Sequence, residues 1–172
     1  ENDREATAAD LKWLADPAEE PEPFGDGGTK MAWNTFNVVS IYPNGNPVMS
    51  DVNQRWVGDC CACAVIASMA YLYPRFVKHI IKDNMDKTYT VTMYDPKGKQ
   101  ISVGVGGDYF IGNSGDLGAL GGRNKEVTWA TILEKAMIKW NQIYQGSSKR
   151  DVSTVYHWRL ENRCASVLFF SA

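Results

Sequence analysis

Residues 54–70 read Gln54-Arg-Trp-Val-Gly-Asp-Cys-Cys-Ala-Cys-Ala-Val-Ile-Ala-Ser-Met-Ala70 and hold three of the four cysteines in the chain. Gly58 ends an approach segment and Asp59 is placed to cap a helix. From Cys60 a run of alanines and small apolar residues continues to about Tyr73-Pro74, so a helix is predicted there. The run is apolar almost all round, and the helix is therefore expected to be buried and central.

Downstream, Arg75 to Lys82 predicts a second short helix with Phe76, Val77, Ile80 and Ile81 on one face. Thr88-Tyr-Thr-Val-Thr-Met-Tyr94 alternates at period two, Asp95-Pro-Lys-Gly-Lys99 is turn chemistry, and Ile101-Ser-Val-Gly-Val105 alternates again. This is a β-hairpin. The span from Gly104 to Gly122 is so rich in Gly, Asn and Asp that a long loop is expected. Val127 to Tyr144 is the clearest helix, with Trp129, Ile132, Leu133, Ala136, Met137 and Trp140 in one apolar stripe and Glu134 and Lys135 off its centre. A further strand is expected at Ser166-Val-Leu-Phe-Phe170.

Upstream, Met31 to Val48 is irregular and strand-like, with Pro43-Asn-Gly-Asn-Pro47 as a turn. Residues 1–28 are acidic and include Glu19-Glu20-Pro21-Glu22-Pro23. They divide from residues 29–172 as an N-terminal arm and linker, with a short helix between Ala6 and Ala15. The alternation of helix, hairpin and helix gives an α+β fold class.

With 172 residues, 44% hydrophobic and 22% charged, the chain suits one globular domain. A net charge of −2 with scattered Lys and Arg argues against nucleic acid as a partner. No apolar run is long enough to predict a membrane span. The first residue is Glu1 rather than methionine, which suggests processing or trimming. A removed signal peptide would imply a secreted or periplasmic protein, but the compartment stays open.

The three clustered cysteines admit three readings. Structural zinc needs a second ligand pair besides Cys60 and Cys63, and none follows. Packing suits Cys61 and Cys63, because cysteine is a small and often buried hydrophobe. Cys60 differs, since it stands in the first turn of the predicted helix, where free N–H groups and the helix dipole favour a thiolate. Gln54, six residues upstream, could donate its amide to an oxyanion beside the sulfur, together with the Cys60 N–H. The residues alone leave Cys60 open between a nucleophile and a packing cysteine.

Ser50-Asp-Val-Asn-Gln-Arg-Trp-Val-Gly-Asp-Cys60, continued by Ile66-Ala67-Ser68, resembles the approach to the active-site helix of calpain-like cysteine peptidases of the papain-like group. Trp129-Ala-Thr-Ile-Leu-Glu-Lys-Ala136 is similar to the family's Trp-x-x-Leu-Leu-Glu-Lys-Ala helix, and the hairpin sits where the family has paired strands. The similarity runs in order from about residue 50 to 146. It implies the Cys-bearing half of a papain-like core and a cysteine endopeptidase acting on protein or peptide. Cys60 would be the nucleophile and Gln54 the oxyanion donor. No cofactor is required; the resemblance implies calcium through Asp51, at an acidic contact position, and Glu126, one residue out of register with a second. Two positions depart from the pattern: Cys61 replaces a Trp, and an acidic pair is reduced to Gly107-Asp108.

The thiol also needs an imidazole and an Asn or Asp to orient it. In the family these come from a second half of the core, beyond the reach of this sequence. The expected source is thus a missing C-terminal half or a second chain, or else His157 with Asn162 within Val155-Tyr-His-Trp-Arg159 and its continuation. His79 is expected to be a surface or packing residue. The alternative is a catalytically incomplete calpain-like module that binds or regulates another protein through its Gly-rich loop.

Overall fold

The alternating pattern of the hairpin determines the central sheet of the computed structural model, which describes residues 5–21, 32–57, 59–112 and 114–144. Strands β3 (Tyr89–Tyr94) and β4 (Gln100–Val105) pair antiparallel, with Val91 opposite Val103 and Met93 opposite Ile101. These four side chains are buried, as period-two alternation requires. The turn closes at Gly98, whose φ of +81° suits glycine, and Asp95 Oδ1 accepts from the N–H groups of Lys97 and Lys99. A short strand β2 (Ile81–Asp83) adds to the outer edge of β3.

Among the described residues the elements follow the order α1 (Ala8–Ala15), β1 (Ala32–Thr35), a 3₁₀ turn (Met49–Asp51), α2 (Cys60–Leu72), α3 (Pro74–Ile80), β2, β3, β4, β5 (Asp108–Ile111) and α4 (Trp129–Tyr144). The fold is α+β, with two small antiparallel sheets, β2-β3-β4 and β1-β5. No single helix among the described residues is long and apolar enough to cross a membrane.

The long loop expected from Gly104 to Gly122 gives way to strand over its first part, and its remaining described residues, from 112 to 122, are turns and bends with isolated bridges at Leu117 and Gly121. Gly104 and Val105 complete β4, and Asp108–Ile111 forms β5 against β1, with Trp33 opposite Phe110 and their rings 3.8 Å apart. Glycine is needed at 104 because the end of α1 crosses β4 there. A Cβ at that position would lie 2.4 Å from the Ala15 carbonyl oxygen and 2.6 Å from Pro17 N.

The N-terminal arm is docked along residues 5–21 rather than trailing. Thr7 and Asp10 form a reciprocal capping box on α1, and Leu14 is fully buried in the core. Lys139 donates to the carbonyls of Asp16 (2.9 Å) and Gly104 (2.8 Å), and Lys135 pairs with Glu20 at 2.6 Å. The two lysines thereby clamp the arm onto β4.

The two long helices exchange their expected roles. α2 buries Ala62, Ile66, Met69 and Ala70 but leaves Cys60, Ala64 and Ser68 exposed at i, i+4 steps, followed by Tyr71 and Leu72. Its small residues contribute little area to bury, so one face stays open to solvent. α4 is instead buried all round, including Glu134, Lys135 and Lys139. The polar heads are tolerated there because each of them reaches a partner on a neighbouring segment. The strand expected at 166–170 lies outside the described residues.

Candidate functional site

The segment before α2 is held as a short backbone ladder. Asn53 N–H donates to the Gly121 carbonyl (3.0 Å), the Asn53 carbonyl accepts from the Gly121 N–H in return (3.3 Å), and Trp56 N–H donates to the Gly118 carbonyl (3.0 Å). Arg55 Nη2 donates to the Gly122 carbonyl from the same stretch. The Trp56 indole lies over Gly112, where a Cβ would come within 2.5 Å of its ring nitrogen. The glycines of this loop thus let the approach segment lie flat against it, and the chain is delivered to α2 in a defined position.

Cys60 is the first residue of α2 and is exposed, whereas Cys61 and Cys63 are partly covered. In a helix the first N–H groups have no intrahelical acceptor, so the Cys60 N–H is available to an incoming oxygen. Gln54 is exposed on the approach and donates its Nε2 to the Val57 carbonyl at 2.9 Å. This bond folds the amide back over its own turn and uses one of its two N–H donors.

Asp59 occupies the N-cap position, and its carbonyl accepts the Cys63 N–H at 3.0 Å. Its side chain does not cap the helix, contrary to expectation. It turns inward, 5% exposed, accepts from the Cys63 thiol at Oδ1 (3.4 Å) and meets the carboxyl of Glu134 from α4. Glu134 is 2% exposed, and its Oε2 accepts from the Leu120 N–H at 3.0 Å. Burial raises the pKa of Asp59 and raises that of Glu134 well above the usual carboxyl range, the latter further lifted by the Asp59 charge. Burial, then the two carboxyls, push the Cys63 thiol up, which makes it a neutral packing and hydrogen-bonding group. The acidic pair joins residues 75 positions apart, and its trace in the sequence is a Glu beside the apolar stripe of α4.

Asp51 is 2% exposed and fully engaged. Its Oδ2 accepts from Trp129 Nε1 (2.7 Å) and Val48 N–H (3.2 Å), and its Oδ1 from Asn44 Nδ2 (2.8 Å). The carboxylate fastens the approach segment to the start of α4. Glu126 makes none of these bonds; it packs on Gly122, with its Oε2 buried and without a hydrogen-bond partner among the described residues. No group of three or more His, Cys, Asp or Glu side chains placed to hold a metal ion occurs among the described residues.

His79 is the histidine that the structure describes, exposed on α3. It follows the opposite end of α2 from Cys60, and the 13 residues of that helix span about 18–20 Å at 1.5 Å per residue. His79 is therefore not a partner for Cys60. His157, Asn162 and Cys164 lie outside the described residues. No protein-family model matches the chain, and no curated protein matches it either.

Proposed function

We propose that this chain is the cysteine-bearing half of a calpain-like cysteine peptidase core. The observation that carries the reading is the exposed Cys60 at the first residue of α2, delivered by a backbone-laddered segment that also bears Gln54. The Cys60 sulfur attacks a peptide carbonyl, and the oxyanion is held by the Cys60 N–H and the free N–H of the Gln54 amide. Collapse forms a thioester and expels the amine, which takes a proton from a histidine. Water then hydrolyses the thioester, releasing the acid and the thiol. The histidine and its Asn come from a C-terminal half or a second chain, or from His157 and Asn162. Calcium at Asp51 and Glu126 is the weaker part of the resemblance, since the Asp51 oxygens are already taken by N–H donors.

The test is alkylation by iodoacetamide at about pH 6, with the adducts mapped by mass spectrometry. Cys60 should label far ahead of Cys61, Cys63 and Cys164. Equal, slow labelling of all four would refute an activated Cys60 in this chain. The rival reading, a non-catalytic module that binds or regulates another protein, would use the Gly-rich stretch that follows β5, whose described residues from 112 to 122 are turns and bends with isolated bridges at Leu117 and Gly121.

A further inference from the structure

We propose that Asp59 and Glu134 hold one proton between them, and that this shared proton fastens the first turn of α2, and Cys60 with it, to α4. The two carboxyls meet in a buried position between the helices. The groups facing them are the Cys63 thiol on Asp59 Oδ1 and the Leu120 N–H on Glu134 Oε2; the other titratable side chain nearby is Cys60. No cation faces the pair among the described residues. Lys135 is turned to Glu20 and to the carbonyls of Gly106 and Asp108, Lys139 to those of Asp16 and Gly104, and Arg55 to that of Gly122.

Two ionised carboxylates so deeply buried would repel each other with no cation among the described residues to offset them. Glu134 Oε1 supplies the second, independent observation: it is buried, and no donor among the described residues reaches it. An acceptor left empty there is unfavourable, but an oxygen carrying a proton is satisfied by giving it to Asp59. The proton therefore sits on Glu134 Oε1. Asp59 remains ionised at the N-terminus of α2, where the helix dipole favours a negative charge.

Glu134 is then a positioning residue, acting on Cys60 through Asp59. The linkage has a definite sign. The unfolded chain releases this proton near pH 4, whereas the native pair keeps it to higher pH. The stabilisation is complete below that range and is lost as pH rises through the native value. The inference goes beyond the peptidase reading, and its readouts hold whether or not Cys60 is a nucleophile.

The test compares the whole chain with Glu134→Gln and Asp59→Asn in urea unfolding from about pH 4 to pH 9, alongside hydrogen exchange of the amides in residues 61–64. In the wild type the folding equilibrium constant should fall by up to about tenfold per pH unit across the window, with exchange at the start of α2 rising in step. Glu134→Gln introduces an amide that donates to Asp59 at every pH and still accepts from Leu120, so it should flatten both profiles. If that variant fails to fold, Asp59→Asn supplies the donor from the other side and should flatten them equally. A wild-type slope retained in a folded variant, or no slope in the wild type, would overturn the proposal.

Discussion

Gly104→Ala tests how the N-terminal arm is bound. The new methyl group would meet backbone atoms, the Ala15 carbonyl oxygen at 2.4 Å and Pro17 N at 2.6 Å, so no side-chain rotation relieves it. If the end of α1 merely shifts, the cost is that of overpacking, about 1–3 kcal/mol. If the arm leaves, the loss is the burial of Leu14, about 1.5–3 kcal/mol, plus the Lys139 bond to the Asp16 carbonyl, about 1 kcal/mol. These two terms come to roughly 2.5–4 kcal/mol before the Lys135–Glu20 pair is counted, while β4 retains its pairing with β3 in either case. Urea unfolding followed by tryptophan fluorescence measures the change, and a cycle with Leu14→Ala separates the two routes. Leu14→Ala alone should cost about 2–5 kcal/mol, and much less once Gly104→Ala has displaced the arm. A Gly104→Ala protein within about 0.5 kcal/mol of wild type would refute the docked arm. Full additivity in the cycle would refute its displacement.

Other outcomes follow from single contacts. Burial pushes the Lys139 ammonium down to about 8, against the opposing pull of Glu20, so between that pH and the ordinary value of 10.5 the unfolded chain binds the extra proton. Stability should accordingly rise with pH through this window, and Lys139→Met should reduce the rise in pH-dependent urea midpoints, leaving the part owed to Lys135, which burial also pushes down. Trp129→Phe removes a donor to the buried Asp51 carboxylate and should cost about 1.5–3 kcal/mol in equilibrium unfolding with an unchanged denaturant slope. The Gly112→Ala variant meets, as its nearest atoms, those of the Trp56 indole, in a residue 48% exposed and able to swing. Its stability should stay within about 0.5 kcal/mol of wild type while the Trp56 emission, isolated by difference from Trp56→Phe, shifts to the red.

The parts of the fold legible in the sequence are those whose signal is local. Tyr89–Tyr94 and Gln100–Val105 alternate at period two on either side of a turn, and the α4 stripe repeats at helical spacing, so both are found. The start of α2 at Cys60 is legible for the same reason, because a Gly-Asp break precedes a helix-forming run. What escapes is decided by distant partners. Asp108–Ile111 is a strand because β1 lies against it, far back along the chain, and its Gly-rich flanks point locally to a loop. The burial of Lys139 is settled by the carbonyls of Asp16, just past α1, and Gly104, and that of Glu134 by Asp59 and the Leu120 N–H. The exposed stripe of Cys60, Ala64 and Ser68 escapes because small residues look equally at home on either side of a helix. At the candidate site, the helix start at Cys60 follows from local pattern, whereas the burial of Asp59 against Glu134 does not.

A single feature connects these contacts: α4 ties down a different segment at nearly every turn. Trp129 holds the approach through Asp51, Thr131 and Glu134 hold the two backbone groups of Leu120, Glu134 also meets the cap of α2, and Lys135 and Lys139 hold the arm. Trp140 closes the series by donating to the Tyr94 carbonyl at 2.9 Å. Cys60 thus owes its place less to its own helix, half open to solvent, than to a second helix that reaches both the segment before it and the residue beside it. A buried charge on α4 is costly only while its partner is absent, so the partners must dock together for any to dock well. That mutual dependence gives a helix with six polar residues in its buried register one arrangement to adopt, and it fixes the cysteine at the end of that arrangement.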